Sequence, residues 1–284
     1  MEDLYPVAIV TDSAAGIPET LITQYRIGVV PFWVRVGERS YQDGIDIDPA
    51  ALFKLMREQE EPDVSTSVPA VETFASLYRE AATWARAVVS VHVAGQQSGT
   101  CNTAQQAAAE SPIPVTVIDT GTTAMAEGFV ALAAARAAAA GEPLHAVVAQ
   151  ARAAIPHVGL FALLQSINYA VRGGRLAGAA RYVSNLLNLQ PLVRIMDNRL
   201  SIAGHARRRQ RGREQLCEKI YAQVGEAATR LVVHYSESRD EAEQVLETLR
   251  AQLNCIEAHL THVPVALGVH AGPGSLGVAY HKEP

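Results

Sequence analysis

Cysteine is scarce in this 284-residue chain, and the three present, Cys101, Cys217 and Cys255, are odd in number and widely spaced. That pattern fits neither a disulfide framework nor a CxxC metal knuckle, and reads as packing residues in a reducing compartment. Positive charge is also in deficit. Against 29 Asp and Glu stand 24 Lys and Arg, a formal charge of -5, so the chain lacks the field that general nucleic-acid binding requires. Long apolar runs are missing too: the most apolar region, 128–164, is interrupted by Arg136, Glu142, His145, Gln150, Arg152 and His157. No window approaches the ~20 clean residues that span a bilayer. Met1-Glu-Asp-Leu-Tyr-Pro is acidic where a secretory leader would be basic, and cytoplasmic residence is the expectation. No GxxxxGK[ST] phosphate loop, GxSxG elbow or HExxH helix occurs, and the nine histidines do not cluster at ligand spacing. No metal or cofactor is expected.

What is there is ordinary globular material, 49% hydrophobic and 19% charged. At roughly 150 residues per domain the length suggests about two domains. Val7 to Val10 is a buried apolar run followed by Thr11-Asp12-Ser13 and then Ile17-Pro18, which reads as strand, polar turn and proline-opened helix. The same grammar recurs at Ala87 to Val93, ending in Gly95-Gln-Gln-Ser98-Gly99-Thr100, and at Val115 to Ile118, ending in Asp119-Thr120. Such alternation predicts an α/β fold whose N-terminal half is a parallel, helix-flanked sheet. Asp48-Pro49 marks a further helix start, and two alanine-rich helices, near Met125 to Ala140 and Pro143 to Ile155, close this half.

The second half reads differently. Leu192 to Met196 and Leu200 to Ala203 form a hairpin about Asp197-Asn198, a helix runs from about Arg207 to Val224, and Leu231 to Tyr235 is a strand. Ser238-Arg-Asp-Glu241 is a capping box opening a helix to about Leu253. Val265 to Val269 and Leu276 to Tyr280 are expected as strands around Ala271-Gly-Pro-Gly274. This half is expected to be a mixed or antiparallel sheet with helices, giving domains 1–157 and 158–284 with a ligand between them.

Open parallel sheets bind ligands beyond the carboxyl ends of their strands, which singles out Thr11-Asp12-Ser13, Gln97-Ser98-Gly99-Thr100 and Asp119-Thr120. Ser-Gly-Thr at a helix start offers a hydroxyl, free N–H groups and a positive dipole end suited to an anion, although a plain N-cap explains it equally. Val64-Ser65-Thr66-Ser67-Val68-Pro69 alone reads as a cap and turn. His270 lies between a presumed strand and a turn, where its surroundings would set its charge. Arg172-Gly173-Gly174-Arg175, with Arg181 beyond, is flexible backbone between guanidinium groups. Gly128, Ala131 and Ala134 leave room either for a ligand chain or for close helix packing. Five arginines in seven positions, Arg207 to Arg213, read as a solvated helix face or as a docking patch for an acidic partner.

Taken in order, these segments resemble the DegV family of bacterial lipid-binding proteins. The matching pieces are Thr11-Asp12-Ser13, Thr66-Ser67-Val68-Pro69, Ser98-Gly99-Thr100, Val117-Ile118-Asp119-Thr120, Gly173-Gly174-Arg175 and His270-Ala-Gly-Pro-Gly274. This chain has Thr120 where serine is usual, Cys101-Asn102 where an aromatic commonly follows, and Gly95-Gln96-Gln97 where serine and leucine are frequent. The resemblance implies a non-enzymatic carrier holding one long-chain fatty acid between two α/β domains and presenting its carboxylate to the catalytic subunit of a fatty acid kinase. It puts the carboxylate contacts on Thr66, Ser98 and His270, assisted by backbone N–H groups at Ser67 and Gly99, with Arg175 nearby. Arg207, Arg208 and Arg209 then become candidates for docking the kinase. The alternative is a serine hydrolase using Ser98, His270 and either Asp12 or Asp119. A small-molecule kinase resembling dihydroxyacetone kinases would need a nucleotide motif that the chain does not carry.

Overall fold

The computed structural model describes residues 4–58, 63–176, 189–196 and 198–283. Arg181 and Asp197 of the sequence reading lie outside them. The first buried run is β1 (Ala8–Asp12), which leads through a short 3-10 turn to α1 (Glu19–Tyr25) and β2 (Gly28–Val30). Next come β3 (Trp33–Val36), β4 (Arg39–Gln42), α2 (Pro49–Arg57), β5 (Val64–Ser67), α3 (Val71–Ala81) and β6 (Val88–His92). Then follow α4 (Thr100–Ala109), β7 (Val115–Asp119), α5 (Ala124–Ala139) and α6 (Leu144–Ala154). Strands β2-β1-β6-β7 form a wholly parallel sheet in that spatial order. β1 and β6 are buried along their whole length, the pattern of strands covered by helices on both faces.

The later elements are β8 (Val158–Leu163), α7 (Asn168–Arg172), β9 (Gln190–Met196), β10 (Arg199–Ala206) and α8 (Arg209–Val224). They continue as β11 (Thr229–Tyr235), α9 (Arg239–Gln252), β12 (Cys255–His262), α10 (Val265–Ala271) and β13 (Leu276–Lys282). Their six strands build one mixed sheet, ordered β10-β9-β8-β13-β11-β12, antiparallel except where β11 and β12 run together. The architecture is therefore α/β with one parallel and one mixed sheet. Asn198 turns the β9–β10 hairpin at φ 66, a left-handed conformation that asparagine tolerates. Ser238 Oγ accepts from the Glu241 N–H, and Asp48 from the Ala51 N–H, as caps.

Alanine-rich α5 fills the space between the two large sheets. Its residues share one core cluster with Ile9, Val89 and Val91 of the parallel sheet and with Leu160, Val232 and Ala279 of the mixed sheet. A helix covered on every side has no polar face to present, and alanine keeps both sheets close. Gly128, Ala131 and Ala134 serve this packing: none lines the main cavity, and a Cβ on Gly128 would come within 2.9 Å of the Ala15 carbonyl oxygen.

Two expectations are corrected and one element is added. Val265 to Val269 is helical rather than extended, forming most of α10, because a short buried apolar run opened by Pro264 suits either conformation. Val64 to Ser67 is strand β5, not a cap and turn, and pairs antiparallel with β3 to make the third sheet, β4-β3-β5. Cys255 to His262, which carries no sequence signal beyond a half-polar edge pattern, is strand β12. The small sheet packs with α2 and α10 around Val34, Phe53 and Val269.

Candidate functional site

A cavity lies between the mixed sheet and the loops at the carboxyl ends of the parallel strands. The sheet side is set by alternation. Leu160 and Ala162 along β8 and Leu164 just after it, Val193 and Ile195 on β9, and Gly277 on β13 all face it, as period-2 side-chain geometry requires. The opposite wall comes from Ala14 after β1, Val93 after β6, Thr123 at the start of α5, and α10. Most of this lining is apolar.

Four of the expected site residues, Thr66, Ser98, Arg175 and His270, line this cavity. Thr66 Oγ1 lies 2.9 Å from His270 Nε2, a contact between β5 and the last turn of α10 across 204 residues of sequence. Burial, with the Arg175 charge adding to it, holds the His270 imidazole down to about 3, so it is neutral near pH 7. The expectation of a histidine poised near neutrality is thereby corrected. The other ring nitrogen, Nδ1, has no hydrogen-bond partner among the described residues and packs on Gly173, where a Cβ would overlap it. The Gly173-Gly174-Arg175 motif thus has a steric reason: glycine admits the ring, and the following turn, with Gly174 at φ 73, brings round Arg175, whose Nη1 donates to the Gly173 carbonyl. Burial also lowers the Arg175 pKa from its ordinary value.

Ser98 Oγ is 2.8 Å from Thr100 Oγ1, and Gly99 caps α4 by backbone alone. The loop lies beside β5, since a Cβ on Gly99 would sit 3.8 Å from Val68. Ser67 and Gly99 do not line the cavity, and the Ser67 side chain is exposed, on the strand face opposite Thr66. Arg194 lines it although it was not expected to, and Gln97 does so from the 97–100 loop that the sequence singles out. Gln97 Nε2 donates to the Asn198 carbonyl, and Arg194 Nε donates to Ser201 Oγ.

The hydrolase alternative fails on geometry. Asp12 is fully buried, accepting from His92 Nδ1 at 3.0 Å and from the Ala14 and Val93 N–H groups, while Asp119 accepts from the Gly95 and Gly121 N–H groups. Neither carboxylate orients His270, and Ser98 is bonded to Thr100 rather than to the imidazole. The Asp12 and His92 side chains instead continue to Ser90 Oγ at 2.6 Å and on to Tyr78 OH at 2.9 Å, a closed internal chain beneath the loops.

A second anchor lies at the small sheet. Asp43, buried at its edge, accepts from Ser13 Oγ at 2.8 Å and from the Ala266 N–H at 3.0 Å, so it caps the helix that carries His270. Of the arginine cluster, Arg207 and Arg208 are exposed, but Arg209 is tied to Glu241 at 2.8 Å. Among the described residues no helix is long and apolar enough to cross a membrane, and no group of His, Cys, Asp or Glu could hold a metal ion.

Comparison with known proteins agrees with this geometry. Residues 6–283 match the family model described as "Uncharacterised protein, DegV family". The DegV domain-containing protein SCO2569 of Streptomyces coelicolor is 34% identical over 274 residues, covering 96% of this chain and 97% of that one. The structure of a DegV family protein from Thermus thermophilus, described for its fatty acid binding, superposes with a TM-score of 0.90 at 31% identity, covering 98% of this chain and 100% of that one. A DegV lipid binding protein from Thermotoga maritima gives a TM-score of 0.88 at 25% identity, covering 97% of this chain and 98% of its own. The chain belongs to the DegV family.

Proposed function

We propose that this protein binds one long-chain fatty acid, its acyl chain in the cavity against the mixed sheet and its carboxylate among Thr66, Ser98 and His270. The observation that carries this is an apolar cavity whose polar lining gathers Thr66, His270 and Arg175 within one neighbourhood. Burying roughly fourteen methylenes at about 0.8 kcal/mol each gives on the order of 11 kcal/mol gross, before the costs of association. Hydroxyl and amide donors then receive the carboxylate without a buried salt bridge. Arg175 stands beside them. The chain divides near His157 in this reading, so the ligand contacts come from both parts, 1–157 and 158–284.

Fatty acid binding by the Thermus thermophilus relative and lipid binding by the Thermotoga maritima one support the reading. In the same scheme the protein is a cytoplasmic carrier that has no catalytic role of its own and presents the carboxylate to a separate fatty acid kinase, which makes the acyl phosphate. Native mass spectrometry of protein purified from bacteria tests the binding step: the expected spectrum carries added mass matching a C14 to C18 acid. A clean mass with no uptake of labelled acid would sink the proposal. Ser98→Ala weakens retention, and His270→Ala impairs binding or phosphorylation; parental behaviour in both variants would move the carboxylate elsewhere. Docking rests on Arg207 and Arg208, since Arg209 is occupied by Glu241. Charge reversal at those two positions lowers kinase-dependent phosphorylation while retained acid is unchanged; undiminished phosphorylation would remove them from the interface.

A further inference from the structure

The cavity wall contains polar side chains, and most of them are already satisfied. Ser98 is bonded to Thr100, Gln97 to the Asn198 carbonyl and Arg194 to Ser201. His234 accepts from the Met125 N–H at Nε2 and lies 2.7 Å from Thr261 Oγ1 at Nδ1. Two hydroxyls differ. Thr123 and Ser275 are each 3% exposed, both line the cavity, and neither Thr123 Oγ1 nor Ser275 Oγ has a hydrogen-bond partner among the described residues.

Their positions are built rather than incidental. Ser275 precedes β13 by one residue and continues the alternation of Gly277, so it falls on the cavity face of the mixed sheet. Thr123 begins α5 from the opposite wall, two residues before the Met125 N–H that His234 holds. Each hydroxyl has one donor and two acceptor sites. Both oxygens are already buried within the protein itself, so a plain alkyl chain leaves the penalty of their unmet hydrogen-bonding capacity in place, and relieving one of them is worth about a tenfold change in a binding constant.

We propose that the cavity is built for an acyl chain bearing an oxygen along its length, a hydroxy or oxo fatty acid, with Thr123 Oγ1 and Ser275 Oγ as the groups that read it. The inference rests on the fatty-acid reading above and names the ligand class within it. An oxygen at the matching carbon removes the penalty at one wall hydroxyl by donating to it or accepting from it. A double bond offers no comparable partner.

The test is displacement of a fluorescent C18 fatty acid by octadecanoic acid, by its 3-, 10- and 12-hydroxy isomers and by the 10-oxo acid, for the parent, Thr123→Val and Ser275→Ala. At least one oxygenated isomer is expected to gain about tenfold in the parent relative to octadecanoic acid, and to lose that advantage in one of the two variants. The variant that loses it should still bind octadecanoic acid as the parent does, which a folding defect would not allow. Octadecanoic acid preferred over every oxygenated isomer in all three proteins, with unchanged ratios, overturns this inference and leaves the fatty-acid reading standing. Failure of every acid to displace the probe overturns both.

Discussion

His270 sits where three demands meet. Its Nε2 takes Thr66, its ring packs on Gly173, and its burial near Arg175 keeps it neutral. Gly173→Ala isolates the packing demand, because the backbone there is at φ -72 and accepts alanine freely, while the added methyl displaces the ring. The variant should retain its fold by circular dichroism, lose about 1–3 kcal/mol of stability and release bound fatty acid about tenfold faster. Parental release kinetics would show that the His270 position does not matter to the ligand. None of this chemistry was legible from spacing, since Thr66 and His270 are 204 residues apart and each lies in a short, ordinary segment. The order of six weak motifs along the chain brought these residues forward. Arg194, which has no motif of its own, was missed.

Legibility at the scale of elements followed burial. Strands covered on both faces and helices with side-chain caps were readable, because continuous apolar runs and Asp or Ser caps are local signals. Helix α10 was not, since six apolar and small residues and one histidine between a proline and a glycine fit helix or strand until the packing of α2 and the small sheet decides. Asp43 supplies part of that decision by capping α10, at an electrostatic cost. Burial pushes its carboxyl from an ordinary value of 3.8 up to about 6. Between those values the folded protein binds the proton more tightly than the unfolded chain, so this group's contribution to stability falls as pH rises through the window and stays low above it. The difference is on the order of 3 kcal/mol. Asp43→Asn keeps an acceptor for the Ala266 N–H and removes the titration. Subtracting the urea-unfolding curves should therefore show the variant gaining on the parent from pH 4 to 6.5; parallel pH profiles would mean Asp43 does not titrate in that range.

For the molecule as a whole, the division into parallel and mixed sheets was readable from the change in grammar between the halves, but the joint between them was not. Alanine-rich runs carry no directional pattern, so nothing in the α5 sequence says that it is covered from both sides. The consequence is energetic: Ile9 and Val91 on one sheet and Val232 and Ala279 on the other share a core with the same helix, and neither sheet can open without stripping α5. Calorimetry should accordingly show one transition rather than two, with calorimetric and van't Hoff enthalpies in agreement. A fatty acid that touches both walls of the cavity should raise that single transition intact. At a free concentration of 100 times Kd the linkage is about 2.7 kcal/mol, and for 284 residues at ~2.1 cal/mol/K of unfolding entropy each this moves Tm by about 4 °C. Two resolved transitions, with only one of them moved by the ligand, would show that the sheets unfold separately and that the acid is held by one of them alone.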